Sequence, residues 1–370
     1  MRSAVILAFG LMVATVHAAD WPVFRGNAAQ TGVYPDALPH PLVQKWTFRI
    51  GADKSGIAST ESTAAIIGQT VFVGGFDDHV HALDLATGAE KWKVQTGPIK
   101  SPLAAQAGTV YAGNMDGMFH CIDAANGKIR WKVELSGEIA SGANVLGDTI
   151  LVGCGDETLQ CLSKTDGAVR WKFSINGGPV MGTPALVDGK TFAAGCDSTL
   201  HIINAADGKE LSTVDLGGQV GAAAAVRDGK LYVGTMSSQV IAIDLAKAET
   251  AWTFEPAKRK LPFFASVAAT ENLIVAGSRD KRIYGIDRAT GKEVWSVPTE
   301  GKVESSPVVA GDRVYCGSHD GRLYVLELKT GKELQRIQLD GPISASPALS
   351  GGRLVIGTEK GTVYCFGAGP

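Results

Sequence analysis

The chain has 370 residues with 37 acidic and 35 basic side chains, a formal net charge of −2. A balance so close to neutral excludes a general nucleic-acid binder, whose domain would be basic. Its 46 glycines call for many tight turns with positive φ rather than a few long helices.

Residues 1–18 read as a secretory signal peptide. Arg2 supplies the charge, Ala4 to Val16 is largely apolar, and Val16-His17-Ala18 closes on a small residue. Cleavage after Ala18 leaves Ala19 first. The apolar core is too short for a comfortable membrane span, and no Cys follows the cleavage point to carry a lipid. The expectation is a periplasmic or secreted protein, soluble after cleavage, with no membrane span. Residues 19–44 form an extended lead-in that opens as Asp20-Trp21-Pro22 and is rich in Pro, Gly and Asn.

From there one pattern recurs to the end of the chain. Its anchor is the small residue ending each "V-Y-V-G"-like run: Gly74, Gly113, Gly153, Ala194, Gly234, Gly277, Gly317 and Gly357, spaced 39 to 43 residues apart. Three places later stands a turn residue such as Asp77, Asp116 or Asp156. Ten places later stands a polar residue such as Asp84, Asp123 or Asp287, followed by a Thr-Gly or Asn-Gly turn. Eighteen places later stand Trp92, Trp131, Trp171, Trp252 and Trp295, with Ser212 and Gln335 in the fourth and seventh units. A period of this length marks a repeat architecture and replaces the division into two or three domains that length alone suggests.

Each unit predicts four strands. The second unit gives them as Ser101 to Ala105, Thr109 to Gly113, Met118 to Asp123 and Ile129 to Leu135, with an Asp-Gly hairpin turn between the second and third. The eighth unit stops before its own Trp strand, whereas Lys45-Trp46-Thr47-Phe48-Arg49-Ile50 is such a strand with no unit before it. Circular closure satisfies both ends and leaves no free edge. The predicted fold is all-β: one eight-bladed β-propeller over residues 45–370, closed by an N-terminal strand that completes the last blade. Trp46, Trp92, Trp131, Trp171, Trp252 and Trp295 are then expected to dock each blade on its neighbour, and the two seams without Trp are expected to be weaker.

The A-x-D-x-x-T-G-x-x-x-W pattern, the closing strand, the Asp-Trp-Pro opening and Ser-Pro at 101–102, 306–307 and 346–347 resemble the PQQ-like β-propeller repeat family. The resemblance covers about residues 20 to 370. It implies one of two functions: a non-catalytic BamB-like scaffold, or a quinoprotein alcohol dehydrogenase holding PQQ and calcium over the ring. The repeats here are near minimal length, no two Cys are adjacent, and the family's Glu, Asn and Asp ligands fall on no matching motif. The expectation is therefore an exported, monomeric, non-catalytic module that binds a protein or cell-envelope partner and needs no cofactor. A PQQ-dependent oxidoreductase with calcium is the alternative.

Candidate sites follow from loop geometry. The longest internal connection carries Lys258, Arg259, Lys260, Phe263 and Phe264, and the next blade's turn carries Arg279, Lys281 and Arg282. Both belong to one face, as a basic patch with aromatics beside it. Asp77, Asp78, Asp116, Asp156, Glu157 and Asp197 bring acid to the same face, so it is charge-polarised. Glu61, Lys100 and Glu304 are placed near the channel mouth, where a small polar ligand would fit. No catalytic residue and no metal site is assigned. His81, His120 and His201 share a slot with Gln160, Ile241 and Tyr284, a packing position rather than a ligand set. Cys154 and Cys161 face each other across one hairpin, which leaves a bridge open.

Overall fold

Each repeat folds as an antiparallel sheet of four strands, and the described residues form eight such sheets, the seventh of which gains a fifth, parallel strand from the lead-in. The computed structural model describes residues 19–369 apart from 53–55, 57 and 176, so the signal-peptide reading lies outside the described residues. In the second blade the strands are Ala104–Gln106, Thr109–Gly113, Met118–Asp123 and Ile129–Glu134. The first strands of adjacent blades touch one another and so line the central channel. The outer strand faces solvent on one side: Val169–Ser174 alternates exposed and half-buried residues, while Thr149–Gly153 of the same blade is buried along nearly its whole length. The middle strands are covered by neighbouring blades on both faces, which is why they read as continuous apolar runs.

Val43–Arg49 closes the ring. It pairs antiparallel with Thr362–Gly367, with Trp46 opposite Cys365. The first and last parts of the chain thus share one sheet, and that blade has the same four strands as the others.

The seams explain the Trp and Gly positions together. Each Trp indole N–H donates to a backbone carbonyl of the following blade: Trp46 to Leu85 at 2.9 Å, Trp131 to Lys164 at 3.1 Å, Trp295 to Leu328 at 2.9 Å. Its ring lies flat on the turn glycine of that blade. A Cβ on Gly88, Gly167 or Gly291 would come within 2.6, 2.7 and 2.7 Å of the ring of Trp46, Trp131 and Trp252 respectively. The fourth blade carries Ser212 where six of the others carry Trp, and there the next turn holds Ala248 in place of glycine, at φ 54. In the seventh blade Gln335 fills the slot and exchanges two hydrogen bonds of 2.8 Å with the backbone of Leu42, just before the closing strand.

The lead-in is built into the ring. It crosses the lower face, the side opposite the turns between second and third strands. Trp21 exchanges two hydrogen bonds with Ile66, and the carbonyls of Pro22, Ala28, Ala29, Thr31 and Gly32 accept from Ala105, Leu186, Val226, Ala269 and Val309. Val33–Tyr34 then pairs parallel with Val309 and Ala310. The segment satisfies inner-strand amides that would otherwise face the channel unpaired. Its Arg25 side chain is 1% exposed and donates to the carbonyls of Ser306, Val267 and Pro307. Burial away from any carboxylate pushes its guanidinium down to about 9. Gly32 is required beside it: a Cβ there would lie 1.9 Å from Arg25 Nη2.

Hydroxyls tie the inner strands of neighbouring blades together. Ser266, Ser306, Ser346 and Thr63 each accept an amide from the preceding blade, at 2.9 to 3.1 Å. Two of these belong to the Ser-Pro dipeptides, which therefore have a structural role at the blade junctions.

All six cysteines are free. Cys161 pairs with Leu151, not with Cys154, so the hairpin holds no disulfide. Asp84 caps the amides of Ala86 and Thr87, and Asp287 does the same for Thr290. The recurrent aspartates are turn caps.

Candidate functional site

The lead-in closes the channel from below, and the upper end stays open as a well of about 380 Å³. Phe24, one residue before the buried Arg25, contributes to its lining. The inner-strand starts of blades 1, 2 and 7 bring Glu61, Lys100 and Glu304 to this same well, which is where the sequence reading put them. Arg279 and Phe264 join them, the guanidinium 3.7 Å above the ring centroid.

Glu304 is the centre of the site. Arg279 donates to its carboxylate, Lys302 Nζ lies 2.9 Å away and His319 Nε2 lies 2.8 Å away. Burial works to raise this carboxyl, but the contacts with His319, Lys302 and Arg279 outweigh it and bring it down to about 2. His319 also reaches Glu359 at 3.5 Å, and Lys100 pairs with Glu61 at 3.5 Å. The opposite wall is uncharged, formed by Ala140, Met181, Gly221 and Ala222. The mouth therefore has an ionic half on blades 6, 7, 8, 1 and 2 and an apolar half on blades 3 to 5.

The basic patch is split by the structure. Lys258, Arg259, Lys260 and Lys281 are exposed on the upper face. Lys260 pairs with Glu255 at 2.8 Å; among the described residues Lys258, Arg259 and Lys281 have no acidic partner within ion-pair distance. Arg282 is half-buried and donates to Ser296. Phe263 does not belong to the face. It is fully buried against Phe254 and Tyr284, because Gly234 of the preceding blade leaves room for its Cβ. Its neighbour Phe264 points the other way, into the well. Alternation along an extended segment separates the two, and that signal was present in the sequence.

The acidic sector of the same face carries Asp116 exposed and Asp78, Asp156, Glu157 and Asp197 half-exposed. Asp77 is turned inward. It binds His81 Nε2 at 3.0 Å, while His81 Nδ1 meets Glu90 at 2.6 Å. Blade 4 repeats the arrangement with Asp197, His201 and Glu210, and Tyr324 donates to Asp320 at 2.7 Å in blade 7. In blades 1, 4, 6 and 7 the shared slot is thus a tether for the turn aspartate, a role that His and Tyr both fill. Burial of His81 is outweighed by its bonds to Asp77 and Glu90, which raise its imidazole above the usual value.

Sequence reasoning missed Lys302, His319 and Glu359. A signal existed: two places after the anchor stand Arg279, His319 and Glu359 in blades 6 to 8, against Met115, Gly155, Cys196 and Met236 in blades 2 to 5. That slot borders the channel mouth.

The site does not fit calcium-held PQQ. Calcium takes six to eight oxygen ligands, several of them carboxylates. The two carboxylates lining the well are each already paired with permanent cations, and the described residues contain no group of three or more His, Cys, Asp or Glu side chains able to hold a metal.

An eight-bladed propeller with a sealed floor and an open, charged upper mouth is the class this geometry defines. The chain belongs to the PQQ-like propeller family: the family model described as outer membrane protein assembly factor BamB matches residues 76–199 and 155–366. A quinohemoprotein alcohol dehydrogenase of Comamonas testosteroni is 33% identical over 132 residues, 32% of this chain and 19% of that protein. Quinohemoprotein alcohol dehydrogenase ADH IIB of Pseudomonas putida is 28% identical over 95 residues, 24% of this chain and 14% of that protein. The matches thus span less than a fifth of these relatives. Among solved structures, BamB from Moraxella catarrhalis superposes with a TM-score of 0.73 at 21% identity, covering 88% of this chain and 97% of that one. The Comamonas testosteroni enzyme superposes with a TM-score of 0.80 at 14% identity, covering 95% and 81%. At these identities the likeness shows the fold. No helix among the described residues is long and apolar enough to cross a membrane.

Proposed function

We propose that this chain is a non-catalytic, exported binding propeller that holds a protein partner on its upper face, in the periplasm or outside the cell. The observation that carries the reading is the division of charge on that face. Among the described residues Lys258, Arg259 and Lys281 are exposed with no acidic partner within ion-pair distance, whereas Asp116, Asp156 and Glu157 occupy the opposite sector. Complementary potentials of this kind steer and orient a protein partner. A rigid ring suits that task, because the loops it presents need no ordering on binding.

The second reading, a PQQ-dependent oxidoreductase, is favoured by the 33% match to a quinohemoprotein alcohol dehydrogenase. The charge-paired carboxylates of the well weigh against it.

A photo-crosslinking amino acid placed at Lys258 or Lys281, and at Lys332 on the lower face as control, tests the binding reading in the native cell envelope. The expected result is a discrete crosslinked protein from the upper positions only, and the crosslink from Lys281 is lost when Lys258, Arg259 and Lys260 are reversed to Glu. Equal crosslinking from Lys332, or none from the upper face, refutes it.

A further inference from the structure

The fixed charges of the well cancel. The carboxylates of Glu61, Glu304 and Glu359 stand against the permanent cations of Lys100, Arg279 and Lys302. Such a balance favours no ligand of net charge, whereas a ligand with one charge of each sign can meet both. The two groups of charges differ in how fully they are used. Glu304 is held by Arg279, Lys302 and His319 at once, and His319 is shared with Glu359. Among the described residues Glu61 and Lys100 have only each other as charged partners, at 3.5 Å. A carboxylate has about four acceptor sites and an ammonium donates three hydrogen bonds. Both members of this pair therefore keep capacity, and the Lys100 side chain is 43% exposed, open to whatever enters the mouth.

This pair abuts the apolar wall. One inner-strand position supplies Glu61, Lys100, Ala140, Met181 and Gly221 in blades 1 to 5, so the charges stop and the uncharged side chains begin between neighbouring blades. Gly221 keeps the apolar side open: a Cβ there would stand 3.1 Å from Met236 and 3.5 Å from Phe264. The volume, about 380 Å³, is at the small end of pockets that enclose a ligand. It suits one residue-sized molecule rather than a peptide or a folded domain.

We infer that the well binds a free apolar α-amino acid in its zwitterionic form. The ammonium donates to Glu61, the carboxylate accepts from Lys100, and the side chain lies along Ala140 and Met181. Both charges of such a ligand sit on one carbon, as Glu61 and Lys100 sit side by side on the rim, so both contacts form while the pair stays together. Any rearrangement of the pair costs little, because a solvent-exposed ion pair contributes little by itself. A peptide terminus brings only one of the two charges to that carbon, which separates a free amino acid from a segment of a protein. The inference goes beyond the partner reading above and does not depend on it: Lys258, Arg259 and Lys281 lie outside the lining of the well.

The probes are four small molecules titrated into the full mature protein by calorimetry at neutral pH. L-leucine carries both charges and an apolar side chain. N-acetyl-L-leucine lacks the ammonium, L-leucinamide lacks the carboxylate, and glycine lacks the side chain. L-leucine is expected to bind at least about tenfold more tightly than N-acetyl-L-leucine or L-leucinamide, as the loss of one charge-assisted hydrogen bond requires. It is expected to exceed glycine by at least about tenfold, from burial of the side chain. Lys100→Gln is expected to weaken L-leucine about tenfold and to leave L-leucinamide as it was. Glu61→Gln is expected to weaken L-leucine equally and to leave N-acetyl-L-leucine as it was. Gly221→Val fills the apolar half and is expected to weaken L-leucine without altering any charge. Thermal unfolding of the three variants confirms that the ring is intact.

No binding of L-leucine at millimolar concentration overturns the inference. Equal affinity for L-leucine and either of its singly charged derivatives also overturns it, as does indifference of L-leucine to both Lys100→Gln and Glu61→Gln. If L-leucine fails to bind while upper-face crosslinks persist, the well is refuted and the binding propeller stands. If the crosslinks fail while the four ligands bind as described, the well stands and the face reading falls.

Discussion

The coincidence of Ser212 with Ala248 predicts a strong energetic coupling. At the other Trp seams a Cβ on the turn glycine would lie 2.6 to 2.8 Å from the indole of the preceding blade. Ser212→Trp alone drives a ring into the Ala248 Cβ at that distance, an overpacking that costs about 1–3 kcal/mol. Ala248→Gly alone relieves a left-handed residue at φ 54, worth about 1–2 kcal/mol, but loosens the unfolded chain by about 0.4–1 kcal/mol; the net change is small. With both changes the ring can seat, and its N–H can donate to Leu245, which stands where Leu85, Ala124 and Lys164 accept in other blades. Partial burial of the indole adds about 1.5–3 kcal/mol and the hydrogen bond about 0.5–1.5 kcal/mol. The double variant should therefore exceed the sum of the single ones by about 2 kcal/mol or more, well outside the additivity of independent sites. Urea unfolding of the four proteins measures the cycle. Additivity within about 0.5 kcal/mol, or a Ser212→Trp variant as stable as the double, refutes the ring-on-glycine account of the seams.

Three further outcomes are expected. Deleting Lys45 to Ile50 removes the strand that completes the last blade and should unfold or aggregate the protein; an unchanged melting curve contradicts the closure. Arg25→Leu should lower stability by about 2–4 kcal/mol, since it strands the carbonyls of Ser306, Val267 and Pro307 inside the ring; a neutral result in chemical denaturation shows that water replaces it. The His81 imidazole has a folded value above its unfolded one, so its contribution is full below about pH 6.5 and is lost as pH rises through the folded value. Asp77 is held low, burial being outweighed by His81, so its contribution is present above about pH 3.9 and is lost as pH falls through the folded value. His81→Gln should flatten the alkaline side of the melting temperature against pH, and a profile identical to the parent's would show that the tether carries no proton linkage.

The repeat made the fold legible, because one period fixed blade number, strand order and the swapped closure at once. Circular closure was the simplest joint explanation of Trp46 without a preceding unit and a last unit without its Trp. The channel mouth was half legible. Glu61, Lys100 and Glu304 follow from where inner strands start, but the cluster around Glu304 joins residues from three blades, and a period says nothing about which side chains meet across a ring. Phe263 was misplaced because composition placed both phenylalanines on the face, whereas the alternation of an extended chain sends one inward. The lead-in was read only as extended. Nothing in its polar, glycine-rich composition announces that its carbonyls match the spacing of successive inner strands, since that match exists only once the ring has formed.

The claim that this propeller binds a partner and carries out no redox chemistry is tested most directly by adding PQQ and calcium to the purified mature protein. Thermal stability and dye-linked alcohol oxidation are followed together. A ligand bound by the native state alone raises its stability, by about 2.7 kcal/mol at a hundredfold excess over Kd. The prediction is no shift and no turnover, because Glu61 and Glu304 are already held by Lys100, Arg279 and Lys302. A clear rise in melting temperature accompanied by alcohol oxidation would contradict it and make this chain a compact quinoprotein.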